Sequence, residues 1–214
     1  MILAVVPAAG KSTRMGRPKL TLPLGGKTIL GHTLESLRHA ALEHILVVTG
    51  PDSAELAPIV RAAGAELLAL AAETPDMRAT LEHGLEFLES KYRPAAHDWL
   101  VVTPADHPLI TGEILSRLIS ESPNHTVAVP TFRGKRGHPL FLAWRHVEEL
   151  RQLPKGVGLN AWLRQQAESV LEVAVASAGV RCDVDTPEEY EAVLRACETA
   201  KARPNAIDRP RSIS

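Results

Sequence analysis

A chain of 214 residues with 45% hydrophobic content can bury the core of one domain, and with only 4% aromatics that core must be built from Leu, Val, Ile and Ala. The formal net charge of -1 excludes a general nucleic-acid binder. No apolar run approaches bilayer length, and the N-terminal one lacks the layout of a signal peptide, so a soluble, cytoplasmic protein without membrane partners is expected.

In chain order, residues 2–7 read as a buried strand and are followed by a basic loop. Thr28 to Ala40 carries Ile29, Leu30, Leu34 and Leu37 at a helical period. Ile45–Val48 predicts the next strand, and Asp52 to Ala63 a helix. Glu66–Leu70 is a weaker strand, and Met77 to Leu88 an amphipathic helix. Trp99–Val102 is a fully apolar strand that stops at Thr103-Pro104-Ala105-Asp106. A helix over Thr111–Ser120 leads to a strand over Thr126–Pro130. This βαβα alternation with doubly apolar strands predicts a parallel sheet covered by helices on both faces.

Beyond residue 130 the pattern changes. His138 to Leu142, Val170 to Val175 and Arg181 to Asp185 read as strands, Trp162 and Leu163 lie on a short helix, and Pro187 opens a last helix. Residues 1–200 are expected to form a single domain and 201–214 a disordered tail. Cys182 and Cys197 show no ligand spacing and read as plain reduced thiols.

The first 34 residues hold five basic residues (Lys11, Arg14, Arg17, Lys19, Lys27) and no acidic one. Four of them lie in the loop Ala8 to Lys19, which leaves the first strand. A Gly-bearing basic turn in that position suits phosphate: small residues let the backbone approach, N–H groups point outward, and cations supply charge. Two standard phosphate loops do not fit. Gly10-Lys11-Ser12 resembles the end of a Walker A loop, but Val5 stands where its first glycine belongs. Gly10 and Gly16 lack the spacing of the dinucleotide fingerprint. The bland alternative is an ordinary basic surface loop. Ligands of open α/β sheets gather at the carboxyl ends of strands. The loop, Asp106 and the Asp183/Asp185 pair all follow or end predicted strands, so the topology lets them share one cleft.

The run Pro7-Ala8-Ala9-Gly10-Lys11-Ser12-Thr13-Arg14-Met15-Gly16-Arg17-Pro18-Lys19-Leu20, continued by Pro23-Leu24-Gly25-Gly26-Lys27, resembles the signature of the MobA-like nucleotidyltransferases. Within them it looks most like the molybdenum cofactor cytidylyltransferases. Three further segments resemble the family in order: Pro104-Ala105-Asp106-His107-Pro108-Leu109, Arg136-Gly137-His138-Pro139-Leu140-Phe141, and Cys182-Asp183-Val184-Asp185-Thr186-Pro187-Glu188-Glu189. The chain departs from the pattern at Ala105 and His107, at Asp76-Met77-Arg78-Ala79-Thr80, and at Gly156-Val157-Gly158-Leu159-Asn160.

The resemblance implies a three-layer Rossmann-like nucleotidyltransferase fold with a mostly parallel sheet covered by helices on both faces. It implies Mg²⁺-dependent transfer of a cytidylyl group from the nucleoside triphosphate CTP to a phosphorylated small-molecule acceptor, molybdopterin cofactor, with release of pyrophosphate. A molybdoenzyme or its chaperone would be the protein partner. By the same resemblance Asp106 and Asp185 are metal ligands, and Arg14, Lys19 and Asp106 are catalytic. Ala8, Ala9, Gly10, Arg14, Lys19, Arg78 and Thr80 bind the nucleotide. The second basic stretch, Arg133 to Arg136 with His138, suits the acceptor's phosphate, with Arg136 and His138 as its binding residues.

Other assignments stay open at this stage. Asp106 could be a turn residue, Asp185 the N-cap of the helix at Pro187, and Asp183 the supporting or second metal carboxylate. Lys11 and Arg17 are expected to be solvated. A zinc site from His107, His138 and Asp106 lacks close-spaced ligands. The alternatives in function are the same chemistry with GTP or with a sugar- or alditol-phosphate acceptor, and a non-catalytic nucleotide- or cofactor-binding protein.

Overall fold

Successive side chains of β1 (Ile2–Pro7) alternate between two cores. Ala4 and Val6 enter one, while Leu3 and Val5 enter the other, and all four are fully buried. That two-sided burial is what its uninterrupted apolar run requires. The computed structural model describes residues 1–154, 156–166 and 169–201.

After β1 come a two-residue hairpin, β2 (Pro23–Leu24) and β3 (Lys27–Thr28), and α1 (Ile29–His39), whose N-terminus is capped by the Thr28 hydroxyl. Then follow β4 (His44–Thr49), α2 (Ala57–Ala62), β5 (Glu66–Ala69), α3 (Met77–Tyr92), β6 (Trp99–Val102) and α4 (Gly112–Glu121). The second half holds β7 (Val127–Phe132), β8 (Lys135–Arg136), β9 (Leu140–Ala143), α5 (Val147–Arg151), α6 (Leu159–Gln165), β10 (Val170–Ala174) and α7 (Pro187–Lys201). No helix among the described residues is long and apolar enough to cross a membrane. Lys201 closes α7, and the rest of the expected tail lies outside the described residues.

The main sheet runs β10-β7-β9-β6-β1-β4-β5, with β8 paired to β7. β6, β1, β4 and β5 are mutually parallel, as are β7 and β10, and β9 inserts antiparallel between β6 and β7. α1, α2, α4 and α7 pack on one face, and α3, α5 and α6 on the other. The three-layer α/β expectation therefore holds.

Two features go beyond the expected elements, and the second corrects one of them. The reversed direction of β9 was not legible from its apolar run. Its consequence is large: Val102 pairs with Leu140, so the start of β9 lies beside the carboxyl end of β6. The second concerns Arg181–Asp185, which is not a strand. Ala178–Arg181 is a 3-10 turn, and the following residues cross over the loop after β6, where the Val184 amide donates to the Asp106 carbonyl (3.1 Å).

α3 lies close on the sheet at Gly84. A Cβ there would sit 2.8 Å from Val5 Cγ1 and 2.9 Å from Val48 Cγ2. Helix propensity alone favours alanine by about 1 kcal/mol, but overpacking of a tight contact costs about 1–3 kcal/mol. Gly84→Ala is expected to lower stability in urea unfolding by about 1 kcal/mol. A stabilised variant would show that α3 has room to lift from β1 and β4.

Candidate active site

The basic loop folds back on itself before it reaches its key side chain. The Ala8 amide donates to Val48 of β4 (2.8 Å), carrying the loop past the end of the sheet. Ser12 adopts a left-handed backbone (φ 53°), a conformation uncommon outside glycine. Its carbonyl accepts from Met15 and Gly16, and its hydroxyl accepts from the Lys19 amide at 3.2 Å. Lys19 is thereby pulled beneath the loop and is only 8% exposed. Its ammonium lies 2.5 Å from Asp106 Oδ2 and 2.5 Å from Asp185 Oδ1. Arg14, far more exposed, pairs with the other oxygen of Asp185 at 2.5 Å.

Each carboxylate is held from its own backbone. The Thr33 hydroxyl of α1 donates to the Ala105 carbonyl (3.2 Å), and the Asp106 carbonyl accepts from Val184. Asp185 precedes α7 without capping it. The Thr186 hydroxyl accepts from the Glu189 amide (3.3 Å), and the Glu189 carboxylate accepts from the amides of Asp185 and Thr186. This reciprocal box satisfies the helix start, so the N-cap alternative falls and the Asp185 side chain is available to the cleft. Asp183 points elsewhere, into the cavity described below.

Burial by itself would raise the Asp106 pKa, but the hydrogen bond from His107 and the charge of Lys19 outweigh it and hold the carboxyl well below the usual range. Burial likewise opposes the charge on Lys19, and its two carboxylate partners overcome that and raise its pKa. Asp106 is thus a fixed anion and Lys19 a fixed cation through neutral pH. Two hard oxygens converging on one point are the donor set a Mg²⁺- or Mn²⁺-sized ion uses when substrate phosphates and water complete its shell. The residues fit such an ion.

On one side of this cluster lies a cleft of about 350 Å³ lined by Ala8, Ala9, Gly10, Met77, Thr80 and Asp106. Thr80 is buried against Thr74 (2.6 Å between hydroxyls). Asp76 caps α3 through the Ala79 amide. Lys11 and Arg17 are exposed, as expected; Lys11 also pairs with Glu73 at the cleft rim (2.6 Å), and Arg17 lies over the Tyr190 ring. Arg78 is not brought to the cleft. Its guanidinium donates to the carbonyls of Pro154, Val157 and Arg151 and pairs with Glu82, tying α3 to the chain around α5 and α6. Several backbone carbonyls converge there, and the five donors of an arginine can bond to more than one at once.

On the other side lies a smaller cavity of about 220 Å³, lined by His107, Arg136, His138, Asn160, Arg181 and Asp183 among others. The reversed β9 explains it, because Gly137 and His138 precede that strand and land beside the loop holding Asp106. The His107 ring bonds Asp106 Oδ1 through Nδ1 (2.9 Å) and meets the His138 ring edge-on at 4.7 Å. Burial, followed by the neighbouring His107, pushes His138 down to about 4, so it is neutral at pH 7. Arg136 reaches the cavity wall, but its guanidinium is engaged by Glu172 (2.7 Å) and the Leu163 carbonyl (2.9 Å). Arg133 instead packs over Phe132. Asn160 and Arg181 were not singled out from the sequence. The signal for Arg181 was its place four residues before Asp185.

Fold and site together define an enzyme class. Residues 4–170 match the MobA-like NTP transferase domain. The chain belongs to that family and is a nucleotidyltransferase. It is 30% identical to the purine catabolism protein PucB of Bacillus subtilis over 91% of this chain and 97% of that one. It is 32% identical over 127 residues to the 2-C-methyl-D-erythritol 4-phosphate cytidylyltransferase of Vibrio vulnificus, covering 58% of this chain and 52% of that one. It superimposes with a TM-score of 0.71 on the manganese complex of Rv0371C from Mycobacterium tuberculosis, at 28% identity, over 91% of this chain and 97% of that one.

The position of the Lys19 ammonium between two carboxylates has a consequence for cation binding. In Lys19→Met the carboxylates lose their internal counter-ion, and Mn²⁺ binding without nucleotide is expected to tighten at least tenfold, about 1.4 kcal/mol, as measured by calorimetry or the free-Mn²⁺ EPR signal. Unchanged or weaker Mn²⁺ binding would remove Asp106 and Asp185 from any shared cation site.

Proposed function

We propose that this nucleotidyltransferase moves a cytidylyl group from CTP to a phosphorylated small molecule, molybdopterin cofactor, with Mg²⁺ as its ion. The observation that carries the transfer reading is the convergence of Asp106, Asp185, Lys19 and Arg14 between two cavities. One cavity has the dimensions and Gly-bearing wall for a nucleotide, and the other is lined by His107, which is bonded to Asp106. A passive nucleotide binder has no use for paired carboxylates and buried charge between two compartments.

The acceptor would attack through a phosphate monoester whose second pKa is about 6, so it is already a dianion at neutral pH. No side chain has to remove a proton. The protein's task is to align two anions and to neutralise the charge that grows on departing pyrophosphate. Backbone amides around Gly10 cradle the triphosphate. Lys19, displaced from the carboxylates, and the exposed Arg14 turn to its oxygens and follow the charge onto the leaving group. Asp106 and Asp185 would hold the Mg²⁺, which when bound supplies Lewis-acid neutralisation of the phosphates. His107 fixes the orientation of Asp106 by bonding its other oxygen.

Support for CTP comes from Ala8 and Ala9 in the cleft wall. Their methyl groups narrow the space beside the base and favour a pyrimidine, whereas glycine there would admit a purine. The resemblance of Arg136-Gly137-His138-Pro139 to the cytidylyltransferase branch supports the molybdopterin acceptor. A second reading, an alditol phosphate as acceptor, is favoured by the likeness to the Vibrio vulnificus cytidylyltransferase, although the chain spans about half of that protein's length.

Pyrophosphate release measured with each of the four NTPs against molybdopterin and against methylerythritol phosphate tests both readings, with activity expected for CTP and molybdopterin. Calorimetry should show Mg²⁺–CTP binding more tightly than Mg²⁺–GTP, and tighter GTP binding overturns the nucleotide assignment. Asp106→Asn is expected to fold normally and lose about 100-fold in kcat/KM, about 2.7 kcal/mol of transition-state stabilisation. Turnover within a few-fold of the parent at saturating Mg²⁺ would take Asp106 out of the chemistry.

A further inference from the structure

The cavity beyond Asp106 needs a cation if it is to receive a phosphate dianion, and the arginine suggested by the family-like segment is already occupied. Arg136 donates Nε to Glu172 and Nη1 to the Leu163 carbonyl, so its charge is balanced and two of its donors are used. Arg181 lines the same cavity, is exposed, and forms no ion pair or side-chain hydrogen bond with a described residue. We propose that Arg181 is the residue that anchors the acceptor's phosphate, while Arg136 serves to hold the wall. This rests on the reading of that cavity as the acceptor side.

The backbone that carries Arg181 is set firmly against the His138 segment. The His138 amide donates to the Val180 carbonyl at 2.7 Å. A Cβ on Gly137 would lie 2.3 Å from that same carbonyl oxygen, and one on Gly179 would lie 2.5 Å from the Leu109 carbonyl oxygen. Both contacts exclude any residue larger than glycine without movement, so the 3-10 turn Ala178–Arg181 is seated on the loops that hold His107 and His138. A long side chain leaving that turn starts from a fixed base, which lowers the cost of ordering it on a ligand. A guanidinium also suits a phosphate better than a point charge, because it can donate two parallel hydrogen bonds.

The same cavity has an opposite pole. Asp183, two residues further on, is exposed at its rim and also forms no ion pair with a described residue, and Asn160 lines the cavity from α6. A carboxylate there repels a phosphate and accepts hydrogen bonds. The cavity therefore orients an acceptor with its phosphate at Arg181 and its hydroxyl or N–H donors toward Asp183 and Asn160.

Inorganic phosphate is the probe, titrated into protein with ¹⁵N-labelled histidine and backbone, with no nucleotide present. The His138 ring signals report this cavity and the Gly10 amide reports the triphosphate loop, so the two phosphate sites are read separately. Arg181→Ala is expected to weaken the His138-reported affinity tenfold or more and leave the Gly10-reported affinity unchanged. Arg181→Lys should recover most of the loss, and Asp183→Asn should tighten phosphate severalfold by removing repulsion. Arg136→Ala should leave the phosphate affinity within about threefold where the thermal unfolding midpoint is kept. Equal affinity in Arg181→Ala and parent, or loss in Arg136→Ala alone, would overturn the assignment. Because no nucleotide enters the experiment, failure of the CTP reading leaves its outcome untouched, while absence of any phosphate response at His138 would remove the acceptor role of the cavity itself.

Discussion

Everything in this active site is arranged around one buried ammonium. Lys19 touches a carboxylate from the loop after β6 and another from the segment before α7, residues separated by 87 and 166 positions from it in sequence. Two anions brought this close would repel strongly in a partly dry site, and each would drift toward protonation. The hydrogen bond from His107 and the charge of Lys19 together outweigh burial and hold Asp106 an anion well below neutral pH. Lys19 thus supplies the two carboxylates with an internal counter-charge. Removing one partner leaves uncompensated buried charge, which is why the cluster constrains the three chain segments together.

Those segments reach the same place for topological reasons. The parallel strands β6, β1 and β4 deliver their following loops to one edge of the sheet. The antiparallel insertion of β9 brings a preceding loop to that edge as well, since the start of a reversed strand adjoins the ends of its neighbours. The result is two neighbouring cavities, one lined by Asp106 and the other by His107, the histidine bonded to it. Contacts such as Gly137 against Val180 then lock the crossing segments at van der Waals distance. Small residues are required there because two backbones approach each other.

The charge pattern also suits the chemistry of the class. Phosphate monoesters need no deprotonation at neutral pH, and the described residues of the site are cations and carboxylates. His138 is held neutral by burial and can offer a hydrogen bond but little charge. Charge for an incoming phosphate must then come from arginine, whose protonation does not depend on pH in this range.

Much of this was legible in the residues. Apolar runs and helical periods marked the alternating elements, because burial on both faces forces β1, β4 and β6 to be uninterrupted by polar side chains. Local composition marked the basic loop, and Thr186-x-x-Glu189 carried the signature of a helix start, which in turn freed Asp185. The motif resemblance singled out Asp106, Lys19 and Arg14, and the fold brings them together. The direction of β9 was not legible, since an apolar strand reads the same either way and its pairing is set by β6 and β7, which precede it in the chain. Nor was the division of labour among the arginines. Arg78 and Arg136 were expected at ligands, but each guanidinium bonds carbonyl and carboxylate groups of neighbouring elements, although Arg136 still lines the smaller cavity. Which arginine is absorbed by the protein and which is left to the cavity is decided by where helix ends and strand edges meet in space, and no local pattern encodes that.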